Sequence, residues 1–238
     1  PVLESKLVND FCQDDPVTVG IQSQMSQNER FQLYYALRKL LPTPTSAPLR
    51  FIEIGSFAGA SLWLTCQALK RGSSQFQGFA IEPGNHPQFA EVLKHVNQHV
   101  THLPMLSAQA LSILQPRLEQ DGNLPGFIFI DGDHTYEGVW QDAINYFQLL
   151  APGGLMVFHD YLPPLNDDNR EAILFHHGGK EPGIRRAFEE LVECTYGEVV
   201  EIPLLYPSDP TQTQAYLPII PGVVSTLRAY RKGRGNDD

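Results

Sequence analysis

Short apolar segments alternate with helix-like segments through the middle of the chain, and this alternation limits the possible folds more than any other feature. Each apolar segment is bounded by Gly, Pro or polar residues, which is typical of strands that are covered on both faces. Strands are predicted at 50–54, 76–82, 102–106, 126–131 and 154–159, and helices at 58–70, 87–98, 108–120 and 135–150. This order predicts right-handed strand–helix–strand units in a parallel, doubly wound α/β sheet.

The segments on either side of this region have different patterns. Residues 26–41 predict an amphipathic helix, with Ser26 as its N-cap and Glu29 completing a capping box. Residues 162–180 are long and irregular, which predicts a functional loop or lid. Shorter elements are a helix near 3–11, a helix at 182–194 and a strand at 198–205. The predicted organisation is an N-terminal helical extension or lid at 1–45, a core at 46–230 and a flexible tail at 231–238.

The charge and composition of the chain limit the kinds of molecule that it is expected to bind. A net charge of −10 on 238 residues disfavours binding to a nucleic-acid backbone. No run of 18 apolar residues and no basic-then-apolar leader is present, so no membrane association is expected. Cys12, Cys66 and Cys194 are far apart and fit neither a disulfide framework nor a zinc site, which favours a cytoplasmic setting. A small molecule is the expected partner, and a homo-oligomer is left open.

Acidic residues lie in or directly after four predicted strands: Glu53, Glu82, Asp131 and Asp160. Ligands of an open parallel sheet bind at the carboxyl ends of its strands, so these residues indicate a site. After the first strand, Gly55 and Gly59 are four residues apart, which suits either a ligand-binding turn or a turn needed only for packing. Glu82 could cap a helix or bind the hydroxyl groups of a ribose, and the upstream glycines favour the ribose.

Three motifs together resemble the class I S-adenosylmethionine-dependent methyltransferases, and more narrowly their divalent-metal-dependent O-methyltransferases. The motifs are E-x-G-x-x-x-G-x-S at Glu53–Ser61, DGDHTYEG at Asp131–Gly138 and GG-x-x-x-x-HDY at Gly153–Tyr161. The resemblance covers roughly residues 23–200. It implies a Rossmann-like, mostly parallel seven-stranded sheet with helices on both faces. It also implies methyl transfer from S-adenosylmethionine to a hydroxyl group of a natural-product or sugar-containing small molecule.

The resemblance also assigns cofactor contacts by position. Glu53, Gly55, Phe57, Gly59 and Ser61 belong to the motif around the methionyl part, Glu82 would hold the ribose, Ser107 and Ala108 would lie against the adenine, and Gly132 and Asp133 would lie on its other side. Asp131 would face the amino group of the cofactor as well as a metal. Residues 22–25 match a segment that closes over the cofactor in relatives.

The two strand ends at Asp131 and Asp160 predict a metal site. Neighbouring strands are roughly 4.8 Å apart, so both carboxylates can reach one divalent cation, Mg²⁺ or Mn²⁺, which would also relieve their repulsion. His159 stands where relatives have an acid, and imidazole suits Mn²⁺, Fe²⁺ or Zn²⁺ better than Mg²⁺. His159 could instead turn away and leave its place to water, or Asp167 and Asp168 could supply a ligand.

His134 is a candidate catalytic base beside Asp131. The resemblance places a Lys or His near this position to accept the proton of the substrate hydroxyl, and an imidazole suits that transfer. The alternative is a histidine that is hydrogen-bonded only within its own turn. His176 and His177 could line a substrate lid, but exposed loop histidines are the favoured interpretation. Two rival functions remain: a nicotinamide oxidoreductase, which predicts a G-x-G-x-x-G that the first turn lacks, and a non-catalytic cofactor-binding module.

Overall fold

The chain forms one seven-stranded sheet in this computed structural model, which describes residues 3–42, 47–72, 75–206 and 223–234. The strands are β1 (Leu49–Ile54), β2 (Phe76–Ile81), β3 (Val100–Leu103), β4 (Phe127–Ile130), β5 (Leu155–Phe158), β6 (Gly197–Val200) and β7 (Arg228–Lys232). Their order across the sheet is β3-β2-β1-β4-β5-β7-β6. The first five strands are parallel, and β7 runs antiparallel to both β5 and β6. This confirms the predicted Rossmann-like architecture.

Helices cover both faces of the sheet. They are α1 (Ser5–Asp14), α2 (Gln27–Tyr35), α3 (Ala60–Arg71), α4 (Pro87–Val96), α5 (Ser107–Asp121), α6 (Tyr136–Leu149), α7 (Arg170–His176) and α8 (Ile184–Cys194). Because successive strand residues point to opposite faces, Phe127 and Phe129 of β4 pack with helices α1 to α4. Ile128 and Ile130 of the same strand pack with α5, α6 and α8. No helix in the described ranges is long and apolar enough to cross a membrane.

The N-terminal helices close one side of this core. The predicted capping box of α2 is present: the Ser26 hydroxyl accepts from the Glu29 amide at 3.2 Å, and the Glu29 carboxylate accepts from the Ser26 amide at 2.8 Å. Phe11 of α1 packs edge-on against Phe31 and Tyr34 of α2. The extension predicted at 1–45 is therefore helical where the structure describes it, and its proposed boundary at 45/46 falls outside the described residues.

Several element boundaries differ from the predictions. Strand β3 ends at Leu103 instead of 106, because Pro104 has no N–H to continue the ladder. Strand β6 ends at Val200, where its pairing with β7 stops, so the predicted strand at 198–205 is too long. Strand β7 extends through Lys232, so the tail predicted from 231 begins too early; residues 235–238 are outside the described ranges.

The predicted loop at 162–180 contains the short helix α7. Ile173 of this helix is buried against Leu162, and this small apolar contact gives the segment a core of its own. The prediction of a wholly irregular segment was wrong in this respect. A helix of seven residues with a single buried side chain is too short to show a clear hydrophobic periodicity in the sequence.

Candidate active site

A cavity of about 600 Å³ opens at the carboxyl ends of β1, β2 and β4. This volume lies in the usual range for small-molecule sites. Eight of the predicted cofactor-binding residues line it: Gly55, Phe57, Glu82, Ser107, Ala108, Asp131, Gly132 and Asp133. The structure therefore brings together residues from the turns that follow four separate strands, β1 to β4, as the parallel sheet requires.

The turn after β1 needs its glycine at position 55. Gly55 has a φ of 83°, in the left-handed region, and a methyl group there would overlap the carbonyl oxygen of Asp131. Phe57 in the same turn also has a positive φ of 44°, which is strained for an aromatic residue. Such strain is often found at ligand sites, and the Phe57 side chain is 40% exposed at the cavity wall.

Glu82 holds this turn in place. Its carboxylate accepts hydrogen bonds from the amides of Ser56 at 3.0 Å and Phe57 at 2.7 Å, and from Gly84 at 2.6 Å. These contacts join the turn after β1 to the end of β2. Glu82 also lines the cavity, so it remains the predicted ligand for a ribose.

Glu53 lies beneath the turn and does not line the large cavity. It is 1% exposed, and the Ser61 hydroxyl donates to it at 3.0 Å. Burial raises the pKa of Glu53 to about 8, so its carboxyl group is mostly protonated at neutral pH. Ser61 lines a smaller adjoining cavity together with residues 22–25. Gly59, with a φ of 89°, begins α3 against Val92 and lines neither cavity.

Asp131, His159 and Asp160 meet at the tips of β4 and β5. One ligand atom from each residue lies within 4.8 Å of the other two. His159 Nδ1 is 3.1 Å from Asp131 Oδ1 and 3.4 Å from Asp160 Oδ1. Asp160 has a φ of 57°, an uncommon backbone state that aspartate tolerates. The two carboxylates thus share one space, as the order of the strands predicts.

Glu29 lies on the other side of the His159 ring. Its Oε2 is 3.6 Å from His159 Nε2, which is buried and has no closer hydrogen-bond partner among the described residues. Burial acts to raise the pKa of Glu29, but His159, Thr226 and the Ser26 amide outweigh it and lower the pKa to about 2. Burial acts to lower the pKa of His159, but Asp160 and Asp131 raise it well above its usual value.

His134 faces the same two carboxylates from the start of α6. Its Nε2 is 3.6 Å from Asp131 Oδ1 and 3.5 Å from Asp160 Oδ2. Burial acts to lower the pKa of His134, but the hydrogen bond to Asp131 and the charge of Asp160 raise it. His134 therefore reaches beyond its own turn, unlike the alternative considered from the sequence.

His177 contacts His134, so the expectation of exposed loop histidines was wrong. The two Nδ1 atoms are 3.2 Å apart, and the side chains of His176 and His177 each have a buried Nε2 without a partner in the described part of the chain. Helix α7 positions His176 and His177 against the strand ends. A second cavity, of about 350 Å³, is lined by these two histidines together with His134 and Lys180.

Asp142 is a site residue that the sequence interpretation missed. It lies on α6, is 5% exposed and lines the large cavity. Burial raises the pKa of Asp142 to about 6, although a hydrogen bond with the Ser107 side chain acts in the opposite direction. A polar residue on an amphipathic helix is usually assigned to the solvent face, and no motif in the sequence distinguishes Asp142 from such a residue.

Comparisons with known proteins agree with this geometry. Residues 52–161 match a family model described as a methyltransferase domain. Protein R132 of Acanthamoeba polyphaga mimivirus is 29% identical over 133 residues, covering 54% of this chain and 58% of that protein. Protein y4gI of Sinorhizobium fredii is 26% identical over 122 residues, covering 48% of this chain. The chain spans only 13% of the length of y4gI, and less than two thirds of either relative.

A crystal structure of an O-methyltransferase from Bacillus cereus in complex with SAH has the same fold. Its TM-score is 0.54 at 14% identity, and the match covers 97% of this chain and 93% of that one. The sheet order and the glycine turn after β1 agree with the match of residues 52–161 to the family model of a methyltransferase domain.

Proposed function

We propose that this protein is an S-adenosylmethionine-dependent O-methyltransferase that uses a divalent cation and acts on a hydroxyl group of a small molecule. The observation that carries the proposal is the position of Asp131. Its carboxylate shares a space with that of Asp160, and the same residue lines the large cavity. An ion site and a cofactor site that share a residue bring an acceptor oxygen close to a methyl group. Such proximity is the main requirement of a displacement at a sulfonium carbon.

The large cavity supports S-adenosylmethionine as the cofactor. Its walls carry the glycine turn, the Glu82 carboxylate and the residues after β4, which are the groups that the resemblance assigns to this ligand. The Bacillus cereus enzyme of the same fold binds SAH, which has the same adenosyl and homocysteine parts. The absence of G-x-G-x-x-G in the first turn disfavours a nicotinamide cofactor.

The donor groups at the strand ends fit a divalent cation. Asp131 and Asp160 would supply carboxylate oxygens and His159 an imidazole nitrogen, with the Glu29 carboxylate behind the ring. A carboxylate behind a histidine is a common arrangement at metal sites, where it orients the ring. One nitrogen among the donors favours Mn²⁺, Fe²⁺ or Zn²⁺ over Mg²⁺. Such an ion supplies Lewis-acid chemistry, lowering the pKa of a hydroxyl group that it binds.

The remaining steps fall to side chains of this chain. His134 Nε2 lies beside both carboxylates and is the group that would accept the hydroxyl proton. The cavity of about 350 Å³ next to it, lined by His177 and Lys180, would hold the acceptor. Its polar lining suits an oxygen-rich molecule, such as a natural product or a compound that carries a sugar.

Chelation of metal ions is expected to lower methyl transfer at least about 100-fold, and Mn²⁺ is expected to restore it more fully than Mg²⁺. The measurement is transfer of labelled methyl groups from S-adenosylmethionine to a panel of hydroxyl compounds, with EDTA and then with each ion. Thermal shifts with S-adenosylhomocysteine and with NAD provide the control. Undiminished transfer in EDTA contradicts the metal, whereas a shift with NAD alone contradicts the cofactor.

A further inference from the structure

Two sets of donor atoms meet at the side chain of Asp160, which is buried just after β5. Its Oδ1 atom is 3.4 Å from His159 Nδ1, on the side of the ion space shared with Asp131. Its Oδ2 atom is 3.5 Å from His134 Nε2. The two oxygens of one carboxylate therefore face two different histidines. A carboxylate with donors on both sides can serve two metal ions, which lie roughly 3.5–4 Å apart in two-metal sites.

His177 completes the second set of donors. One ligand atom each of His134, Asp160 and His177 lies within 4.8 Å of the other two. The two histidine Nδ1 atoms are 3.2 Å apart. Zn–N bonds are about 2.0–2.1 Å long, so two nitrogens bound to one tetrahedral Zn²⁺ are roughly 3.3 Å apart. The spacing of the two rings is thus close to that of two ligands on one ion.

The three residues of this second set come from distant parts of the chain. Asp160 follows β5, His134 precedes α6 and His177 follows α7. The Nε2 atom of His177 is buried and has no hydrogen-bond partner within the described ranges. Both histidine rings line the cavity of about 350 Å³, which leaves room beside them for water or another ligand. Three protein ligands and an open fourth position are typical of Zn²⁺ sites that are not purely structural.

We propose that His134, Asp160 and His177 form a second metal site, which takes Zn²⁺ and shares Asp160 with the ion site of the proposed function. Two imidazole nitrogens and one carboxylate oxygen suit Zn²⁺, whereas the set around Asp131 offers two carboxylates and one imidazole. Both sets would accept Zn²⁺, and only the second needs His177. The second site goes beyond the proposed function, because binding of Zn²⁺ to it requires no methyl transfer.

Zn²⁺ at the second site would inhibit the enzyme, and this consequence rests on the proposed function. An ion bound to His134 would keep that ring from accepting the proton of a substrate hydroxyl group. It would also fasten His177, and with it the end of α7, to the end of β5. Occupation of the second site would therefore suppress methyl transfer.

The test counts Zn²⁺ ions on the full chain by equilibrium dialysis and elemental analysis, at a buffered concentration of free Zn²⁺. The unmodified protein is expected to hold about two ions per chain, and the variants His177→Asn and His177→Ala about one each. Asparagine places an amide close to the former Nδ1 atom, so it can keep a hydrogen bond to His134 but is a poor ligand for Zn²⁺. His95→Asn, at an exposed position on α4, is the matched control and should keep about two ions.

The other counts contradict the second site in different ways. One ion on the unmodified protein would overturn the inference and leave the proposed function intact, with the histidine pair serving only as a hydrogen bond between two segments. Two ions on both His177 variants would overturn it as well. No ion on the unmodified protein would overturn the inference together with the metal of the proposed function.

Methyl transfer at saturating Mn²⁺ tests the inhibition. Added Zn²⁺ is expected to halve the rate of the unmodified protein at a concentration at least about 10-fold lower than the one that halves the rate of His177→Asn. Each rate is taken relative to that of the same protein without Zn²⁺. Displacement of Mn²⁺ from the set around Asp131 would affect both proteins alike. Equal sensitivity of the two proteins to Zn²⁺ would overturn the inhibitory role.

Discussion

Replacement of Asp160 by Asn is expected to lower methyl transfer by more than about 100-fold while changing the affinity for S-adenosylhomocysteine less than about threefold. Loss of a partner behind a metal ligand typically costs 10- to 100-fold, and loss of a ligand itself should cost more. The substitution is conformationally conservative, because Asn tolerates the left-handed backbone that Asp160 adopts. Asp160 does not line the cavity proposed for the cofactor, so the affinity for S-adenosylhomocysteine should be nearly unchanged.

The measurement is the rate of methyl transfer at saturating Mn²⁺, combined with calorimetric titration of S-adenosylhomocysteine. Asp167→Asn is the matched control, because Asp167 is exposed in the segment before α7. It also tests the alternative that the loop acids supply a ligand. Full activity of Asp160→Asn, or loss of activity in Asp167→Asn alone, would contradict the assignment of Asp160.

The fold could be predicted because the buried strands appear in the sequence as uninterrupted apolar segments. Phe127–Ile130 is buried on both faces, and only a central strand of a covered sheet needs four such residues in succession. The meeting of Asp131 and Asp160 followed from topology, since β4 and β5 are adjacent and parallel, Asp131 comes directly after β4 and Asp160 is the second residue after β5. Strand ends were less predictable, because pairing with a neighbour decides them, as at β6.

The rest of the site could not be predicted, because the residues concerned have an adequate local explanation. Glu29 completes a capping box, and nothing in that motif indicates that the same carboxylate faces His159. Asp142 fits the polar side of an amphipathic helix. His177 follows α7, whose position depends on long-range packing. In each case the function depends on a contact between elements that are distant in sequence, and periodicity carries no information about such contacts.

Glu29→Gln is expected to lower the free energy of unfolding by about 3 kcal/mol at pH 7. The folded state holds the pKa of Glu29 at about 2, against 4.5 for the unperturbed group, so its ionised form favours folding. A depressed pKa of this kind stabilises the protein above about pH 4.5, and this contribution is lost as the pH falls toward 2. The amide keeps the shape of the side chain but loses the charge that faces His159 and that accepts from the Thr226 amide at 2.8 Å.

Urea unfolding of the two proteins at pH 7, 5 and 3 would measure this difference, which should be the same at pH 7 and 5 and clearly smaller at pH 3. Glu91→Gln, at an exposed position on α4 that pairs with Lys94, is the matched control and should change stability by less than about 0.5 kcal/mol. A difference that persists unchanged to pH 3 would mean that the depressed pKa of Glu29 is not the source of the lost stability. A loss that follows the titration of the carboxylate would instead show that helix α2 is held to the strand ends by charge, because Glu29 of α2 faces His159 at 3.6 Å.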